Sequence, residues 1–325
     1  MTDLAARQAV GAVFSATSTL PATKTLSLAA MGGHAHITLV GASAELLEAC
    51  GHLLARCETL WSRFLPESDI SRLNLSEGRP TSVDPLTLEL VRAMQAGHAA
   101  TDGDFDPTLL PSLVAAGYAH SRVDAAKVTV LPASAVSPGS VTGIRVHEDV
   151  LGMPEFVLPR GTTLDAGGIG KGLAADLICR FALLEGAWGV MAEVGGDLVV
   201  AGDAPDGLAW RIGVEDPFDA NAHLAVVRLA AGAIATSSVR RRRWSTPDGE
   251  RHHLLDPSTG ENSSTSVQTV TVIAATGARA EALTKPGFIR DPAEFLAWLP
   301  AQGAAGLIVD ATGGIRTSEN WNLYL

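Results

Sequence analysis

The feature that most restricts this chain is the run Asp165-Ala166-Gly167-Gly168-Ile169-Gly170-Lys171-Gly172, four of whose eight positions are glycine. It follows the strand-like Thr162-Thr163-Leu164. It precedes Leu173, Leu177, Ile178, Phe181 and Leu184, which recur at helical spacing and end at Gly186. The backbone must therefore make a tight strand-to-helix turn and stay bare enough for another group to approach it. A helix start offers free N–H groups and a positive dipole end, and Lys171 adds a charge, so the run suits a phosphate or diphosphate. It is not a Walker A loop, because Gly172 stands where Ser or Thr would hold a metal. Nor is it the Rossmann fingerprint, whose third glycine falls here on Leu173. Alone, it reads equally as an anion cradle and as a plain tight turn.

The surrounding pattern places this turn in a mixed fold. Leu46, Cys50, Leu53, Leu54, Cys57, Trp61 and Phe64 line one face of a long helix that Ser43 can cap. Asp84-Pro85 opens a second helix with a stripe of Leu86, Leu90, Val91 and Met94. Strands are expected over 28–40 (with the turn Gly32-Gly33), 193–201, 210–215, 225–236, 267–274 and 305–310. A short helix over 277–285 is stopped by Pro286-Gly287. Segregated helices and meander-like strands predict an α+β fold with mixed or antiparallel sheets and packed helices. Residues 1–27, rich in Ala, Ser and Thr, are expected to form an N-terminal tail, and 28–325 one domain or two tightly packed subdomains.

Composition removes several function classes. With 46% hydrophobic and 18% charged residues the chain is too apolar to be disordered. Its 24 Lys and Arg against 35 Asp and Glu leave a net charge of −11, which argues against nucleic acid as a partner. No stretch approaches the roughly 18 apolar residues of a spanning helix, so no membrane insertion is expected. Cys50 and Cys57 lie two helical turns apart, about 10 Å, beyond the roughly 7 Å reach of a disulfide. With Cys179 they read as core residues of a reducing compartment. No basic flank followed by an apolar region opens the sequence, so a cytoplasmic location is expected.

Four more segments carry polar chemistry. Thr101-Asp102-Gly103-Asp104-Phe105-Asp106-Pro107-Thr108 can hold a cation or accept hydrogen bonds, but also reads as a turn in which Asp106-Pro107 starts a helix. Glu193-Val194-Gly195-Gly196-Asp197 is a strand ending in a glycine pair, commonly a bulge or turn. The arginines 240–243 suit a solvated strand edge or a local anion contact, and His252 and His253 point to opposite faces of a strand, which disfavours a shared metal. Glu281 and Lys285, four apart, read as a surface ion pair.

In order along the chain, these segments form a more specific set. Met31-Gly32, Trp61-Ser62-Arg63-Phe64 and Glu67-Ser68-Asp69-Ile70-Ser71-Arg72-Leu73-Asn74 come first. Gly103-Asp104-Phe105-Asp106-Pro107-Thr108 follows, then 165–172 with Asp176, then 194–197, Ala235-Thr236-Ser237, 253–260 and 270–275. Over roughly residues 28–325 this order resembles the ApbE-type FAD:protein FMN transferases.

The resemblance implies an ApbE-like, T-fold-like α+β architecture that binds FAD, holds a magnesium ion near the pyrophosphate and moves FMN to a Thr or Ser hydroxyl of a partner flavoprotein, with AMP leaving. By the same resemblance Met31, Phe64, Asp104, Phe105, Asp106, Asp165, Lys171 and Leu255 would contact FAD. Gly168, Glu281 and Thr284 would hold the metal, and Asp165, Lys171 and Glu281 would carry the catalysis. Elementary chemistry agrees: such a transfer needs charge neutralised at the diphosphate and an attacking hydroxyl in line. A partner's hydroxyl explains why no internal nucleophile–base pair is evident. One position departs from the pattern. The family's metal helix has Asp and, four residues on, Thr or Ser, where this chain has Glu281 and Lys285. Lys285 would either neutralise phosphate itself or pair with Glu281. The rival readings are an FAD pyrophosphatase, with water replacing the hydroxyl, and a non-catalytic FAD-binding protein. A nicotinamide dehydrogenase is more distant.

Overall fold

The computed structural model describes residues 21–148, 154–247 and 249–325. The chain enters through a hairpin of β1 (Thr23–Ala30) and β2 (Gly33–Val40), closed by Met31 and Gly32 with φ of 50° and 76°. Two positive φ values in a two-residue loop match the right-handed twist of the flanking strands. The expectations of one strand over 28–40 and a tail reaching residue 27 both differ from this. β1 alternates exposed with half-buried residues and has only Ala30 fully buried, so its sequence gives a weak strand signal. Residues 1–20 lie outside the described residues.

Helix α1 (Ala44–Trp61) follows, with Ser43 Oγ accepting from Leu46 N at 3.2 Å and Leu47, Cys50, Leu54, Cys57 and Trp61 buried along one side. Next come α2 (Asp69–Asn74), β3 (Thr81–Ser82), α3 (Pro85–Ala100), which Asp84 caps, and α4 (Leu110–Ala115). Strands β4 (Arg145–Glu148) and β5 (Pro154–Val157) join β3 in a small sheet. Helix α5 (Gly170–Leu184) leads into β6 (Gly189–Val194) and β7 (Asp197–Gly202). The expected strand over 193–201 is therefore two strands, folded at Gly195 and Gly196 with φ of 61° and 94°. Beyond them lie β8 (Trp210–Glu215), β9 (His223–Leu229), β10 (Gly232–Ser238), β11 (Arg243–Thr246), β12 (Gly249–His252) and β13 (Val267–Ala274). Helices α6 (Gly277–Leu283) and α7 (Pro292–Trp298) and strands β14 (Ala305–Asp310) and β15 (Ile315–Thr317) complete the fold.

Eight strands form one sheet in the order β1-β2-β6-β7-β10-β13-β14-β15, every neighbouring pair antiparallel. One face buries Ile37, Ala192, Ala235 and Val272 in the core that holds Leu54 of α1, Ile178 of α5 and Leu283 of α6. The other face carries Val40, Val200, Ile234, Ile273 and Leu307. These pack in a second core with Ile212 and Val227 of the β8–β9 hairpin and with Trp321. Cover on both faces explains why β13 is almost continuously buried rather than alternating between buried and exposed.

The crossing of α5 and α6 positions the site. A Cβ added at Gly172 would collide with the Gly277 carbonyl, and one at Gly277 with the Gly172 carbonyl, so the two backbones touch. Each helix also caps the other. Asp176 accepts from Gly277 N at 2.6 Å and Ala278 N at 2.9 Å, and Glu281 Oε2 accepts from Gly172 N at 2.8 Å. Carboxylates at helix starts satisfy free N–H groups and oppose the positive end of the dipole.

Candidate functional site

A cavity opens where the 104–107 turn, the glycine run, the segment 253–255 and the end of α6 meet. Asp104, Phe105, Asp106, Asp165, Gly167, Gly168, His253, Leu255, Arg242, Lys285 and Tyr118 line it. Four separated sequence segments, with Arg242 from a fifth, thus line one cavity.

Local chemistry fixes each block. Asp106 Oδ1 accepts from Thr108 N at 2.7 Å and Thr108 Oγ1 at 2.6 Å, and Thr108 Oγ1 in turn accepts from Gly139 N at 2.8 Å. Asp106 therefore holds a turn rather than capping a helix; α4 starts only at Leu110 and has no side-chain cap. Asp104 pairs with Arg290, whose other nitrogen donates to Thr101 O at 2.8 Å. Asp165 Oδ1 accepts from Gly167 N at 3.1 Å and faces Arg63 Nε at 3.5 Å. Arg63 is itself buried, donates to Thr129 Oγ1 at 2.6 Å and lies over the rings of Phe64 (4.3 Å) and Tyr118 (4.7 Å). Phe64 thereby steadies the arginine from behind and does not line the cavity. Met31 does not line it either. It sits at the β1–β2 turn, half-buried against the helix-side core.

Behind the glycine run lies a cluster of four charges. Lys171 Nζ pairs with Asp197 and with Glu281 Oε1 at 2.6 Å. Burial alone would lower the Lys171 ammonium, but Asp197 and Glu281 hold it above the usual lysine range. Burial would raise Glu281, and Lys171 and Lys285 outweigh it, keeping that carboxyl below its ordinary value. For Asp197 burial wins and pushes the carboxyl up to about 6, despite Lys171. Lys171 was expected to meet the diphosphate. Its charge is instead spent on two carboxylates, and it is not on the cavity wall.

Lys285 takes that wall. Its Nζ donates to Ser237 Oγ at 3.1 Å, Glu281 O at 2.9 Å and Thr284 Oγ1 at 3.1 Å. Burial pushes its pKa down to about 8, against the pull of Glu281. A Cβ at Gly168 would stand 3.4 Å from Lys285 Cε. Gly168, Glu281 and Thr284, the three expected metal residues, do converge, but around this lysine. A magnesium ion takes about six oxygens at roughly 2.0–2.1 Å. Here both Glu281 carboxylate oxygens are committed to Lys171 and Gly172, and the carbonyl and hydroxyls face an ammonium. Among the described residues no group of three or more His, Cys, Asp or Glu could hold a metal. The donors as arranged do not fit that ion.

Sequence reasoning passed over several members. Of the arginines 240–243, Arg240 lies over Phe218 at 4.8 Å, Arg241 pairs with Glu215 and Arg243 faces Glu250 at 3.5 Å; Arg242 lines the cavity. His253 is on the same wall with its Nδ1 buried and without a partner. Burial, then Arg242 and Lys285, hold its imidazole well below the usual histidine range, so it is neutral. Its place three residues before Asp256, in a block already singled out, was the available signal. Asp197 was legible only as part of a glycine turn.

The model of the ApbE family matches residues 31–308. A Klebsiella pneumoniae protein named FAD:protein FMN transferase is 29% identical over 300 residues, covering 88% of this chain and 84% of its own. An Escherichia coli K12 protein of the same name is 30% identical over 256 residues, 74% of this chain and 69% of its own. The crystal structure of an ApbE protein from Thermotoga maritima superposes with a TM-score of 0.79 at 29% identity, covering 93% of this chain and 99% of that one. Flavinyl transferase ApbE of Pseudomonas stutzeri shares the fold, with a TM-score of 0.77 at 24% identity over 94% and 98% of the two chains.

Proposed function

The chain belongs to the ApbE family, and on that premise we propose that it moves the FMN half of FAD onto a Thr or Ser hydroxyl of a partner flavoprotein. It is an FAD:protein FMN transferase, the activity its relatives are named for. The observation that carries the site assignment is the single cavity lined by the Asp104–Asp106 turn, the Asp165–Gly168 turn and Leu255, with two cations, Lys285 and Arg242, on its wall.

In the transfer, the acceptor oxygen bonds to the phosphorus of the FMN half. The bond from that phosphorus to the bridging oxygen breaks, and AMP leaves with that oxygen. Positive groups beside the diphosphate stabilise the charge that builds on the departing phosphate. The hydroxyl proton needs an acceptor; His253 on the wall is neutral and so able to accept, although burial and the neighbouring Arg242 and Lys285 make it a weaker base than an ordinary imidazole. Leu255, packed with Leu109 and Leu113, offers an apolar wall, and Tyr118 a ring face, for a flat heterocycle. Asp165 ties the glycine turn to Arg63 and keeps its N–H groups in register. Because the donors around Lys285 do not fit magnesium, no step here passes through a metal.

The three cysteines are free and buried, which supports a reducing, cytoplasmic setting. Among the described residues no helix is long and apolar enough to cross a membrane.

The test is incubation with FAD and a flavoprotein acceptor domain, followed by mass spectrometry of the acceptor and quantification of AMP. The expected result is an FMN-bearing acceptor with equimolar AMP. FMN and AMP in the absence of acceptor would favour the pyrophosphatase, and bound FAD with neither product would favour a non-catalytic binder.

A further inference from the structure

We propose that the Lys285 ammonium is a built-in counter-ion for the diphosphate, so that this chain binds FAD without a divalent cation. The inference rests on the functional reading above and deepens it, by naming what neutralises the ligand.

Three observations carry it. First, the two lysines of the cluster differ in what holds them. Lys171 is closed off by two carboxylates, whereas the Nζ partners of Lys285 are two hydroxyls and a carbonyl, all neutral. Its charge is therefore oriented but not cancelled by direct contact, and Lys285 is the lysine that reaches the cavity. Second, the carboxylate oxygens beside Lys285 are already taken, both Glu281 oxygens being bonded to Lys171 and Gly172. A divalent cation would have to displace these partners to find ligands, whereas Lys285 and Arg242 already stand on the cavity wall to meet the negative charge of the diphosphate. Third, the partners of the ammonium sit on rigid elements, Ser237 on β10 and Glu281 with Thr284 at the end of α6. Gly168 leaves room for the lysine stem, its missing Cβ falling 3.4 Å from Cε. When a diphosphate arrives, either hydroxyl can rotate to release one N–H toward a phosphate oxygen, a charge-assisted bond that needs no new side-chain placement.

The experiment is titration of FAD, read by calorimetry and flavin fluorescence, in excess EDTA and again in millimolar magnesium. A parallel titration of Mn2+ alone, and with FAD, is followed by electron paramagnetic resonance. FAD affinity should be the same in both media, and Mn2+ should stay free. Lys285→Met should weaken FAD by about tenfold or more, the loss of one charge-assisted contact, with magnesium giving no rescue. Lys285→Arg should restore part of the affinity, and the thermal midpoints of the two variants report that they fold. FAD binding that collapses in EDTA and returns with magnesium, one tightly bound Mn2+ per chain, or undiminished binding by Lys285→Met would each overturn the assignment. Absence of FAD binding in every medium would overturn the functional reading as well, which a collapse confined to EDTA would not.

Discussion

The buried charges behind the glycine run form a floor and the arginines 240–243 a rim, of which only Arg242 lines the cavity. Both are built from the same kinds of charge, yet solvent makes them opposite in consequence. At the floor, the side chains of Asp197 and Glu281 are 3% and 2% exposed and both pair with Lys171. At the rim, Arg241 and Glu215 are 62% and 66% exposed. Buried charges are stable only as a complete set, because a survivor has neither water nor partner. Exposed pairs are screened and close to neutral in stability. The floor therefore acts as a rigid electrostatic template, while the exposed pairs of the rim add little to stability.

The sharpest way to break this contrast is Glu281→Ala. It leaves Lys171 with one carboxylate, strips a counter-charge from beside Lys285 and uncaps α5 at Gly172 N. Removing one partner of a buried set costs about 3–5 kcal/mol. Urea unfolding should show a loss of that order, with FAD binding lost too. A loss below about 1 kcal/mol, the range of surface pairs, would mean that the floor is wetter than its burial indicates. Gly172→Ala probes the same floor through packing alone. Its methyl would meet the Gly277 carbonyl, so α5 and α6 must separate. Overpacking of this kind costs about 1–3 kcal/mol, and the thermal midpoint should fall while every charge is retained.

The floor also shows what was readable in the residues. The caps at Ser43 and Asp84 and most of the stripes of α1, α3 and α5 are local and found where their spacing puts them. Phe64, however, falls past the end of α1, Leu184 is exposed, and the hairpin turns at Met31-Gly32 rather than Gly32-Gly33. The clustering of 104–106, 165–168 and 255 followed from their likeness to one family's blocks. The partners of Lys171 were not readable, because Asp197 and Glu281 lie 26 and 110 residues away and only the sheet and the helix crossing bring them in. That crossing turns Lys171 inward and leaves the wall to Lys285. β1 was missed for a different reason: an edge strand with one half-buried face carries little apolar signal.

The rim offers the smallest effects and the cleanest contrast, since Arg242 and Arg241 are adjacent in sequence and differ in direction. Arg242 lines the cavity; Arg241 pairs with Glu215 at the surface. Arg242→Ala should weaken FAD binding by about 1 kcal/mol, roughly fivefold, the scale of one partly solvated charge-assisted contact. The deficit should shrink as salt screens the interaction. Arg241→Ala should change FAD affinity little and stability by less than about 0.5 kcal/mol. Calorimetric titration of both variants at two salt concentrations decides the matter. Equal losses for the two would mean that a diffuse positive field draws in the ligand; a loss confined to Arg242 would mean that the direction of one side chain, and not the number of arginines, couples the rim to the site.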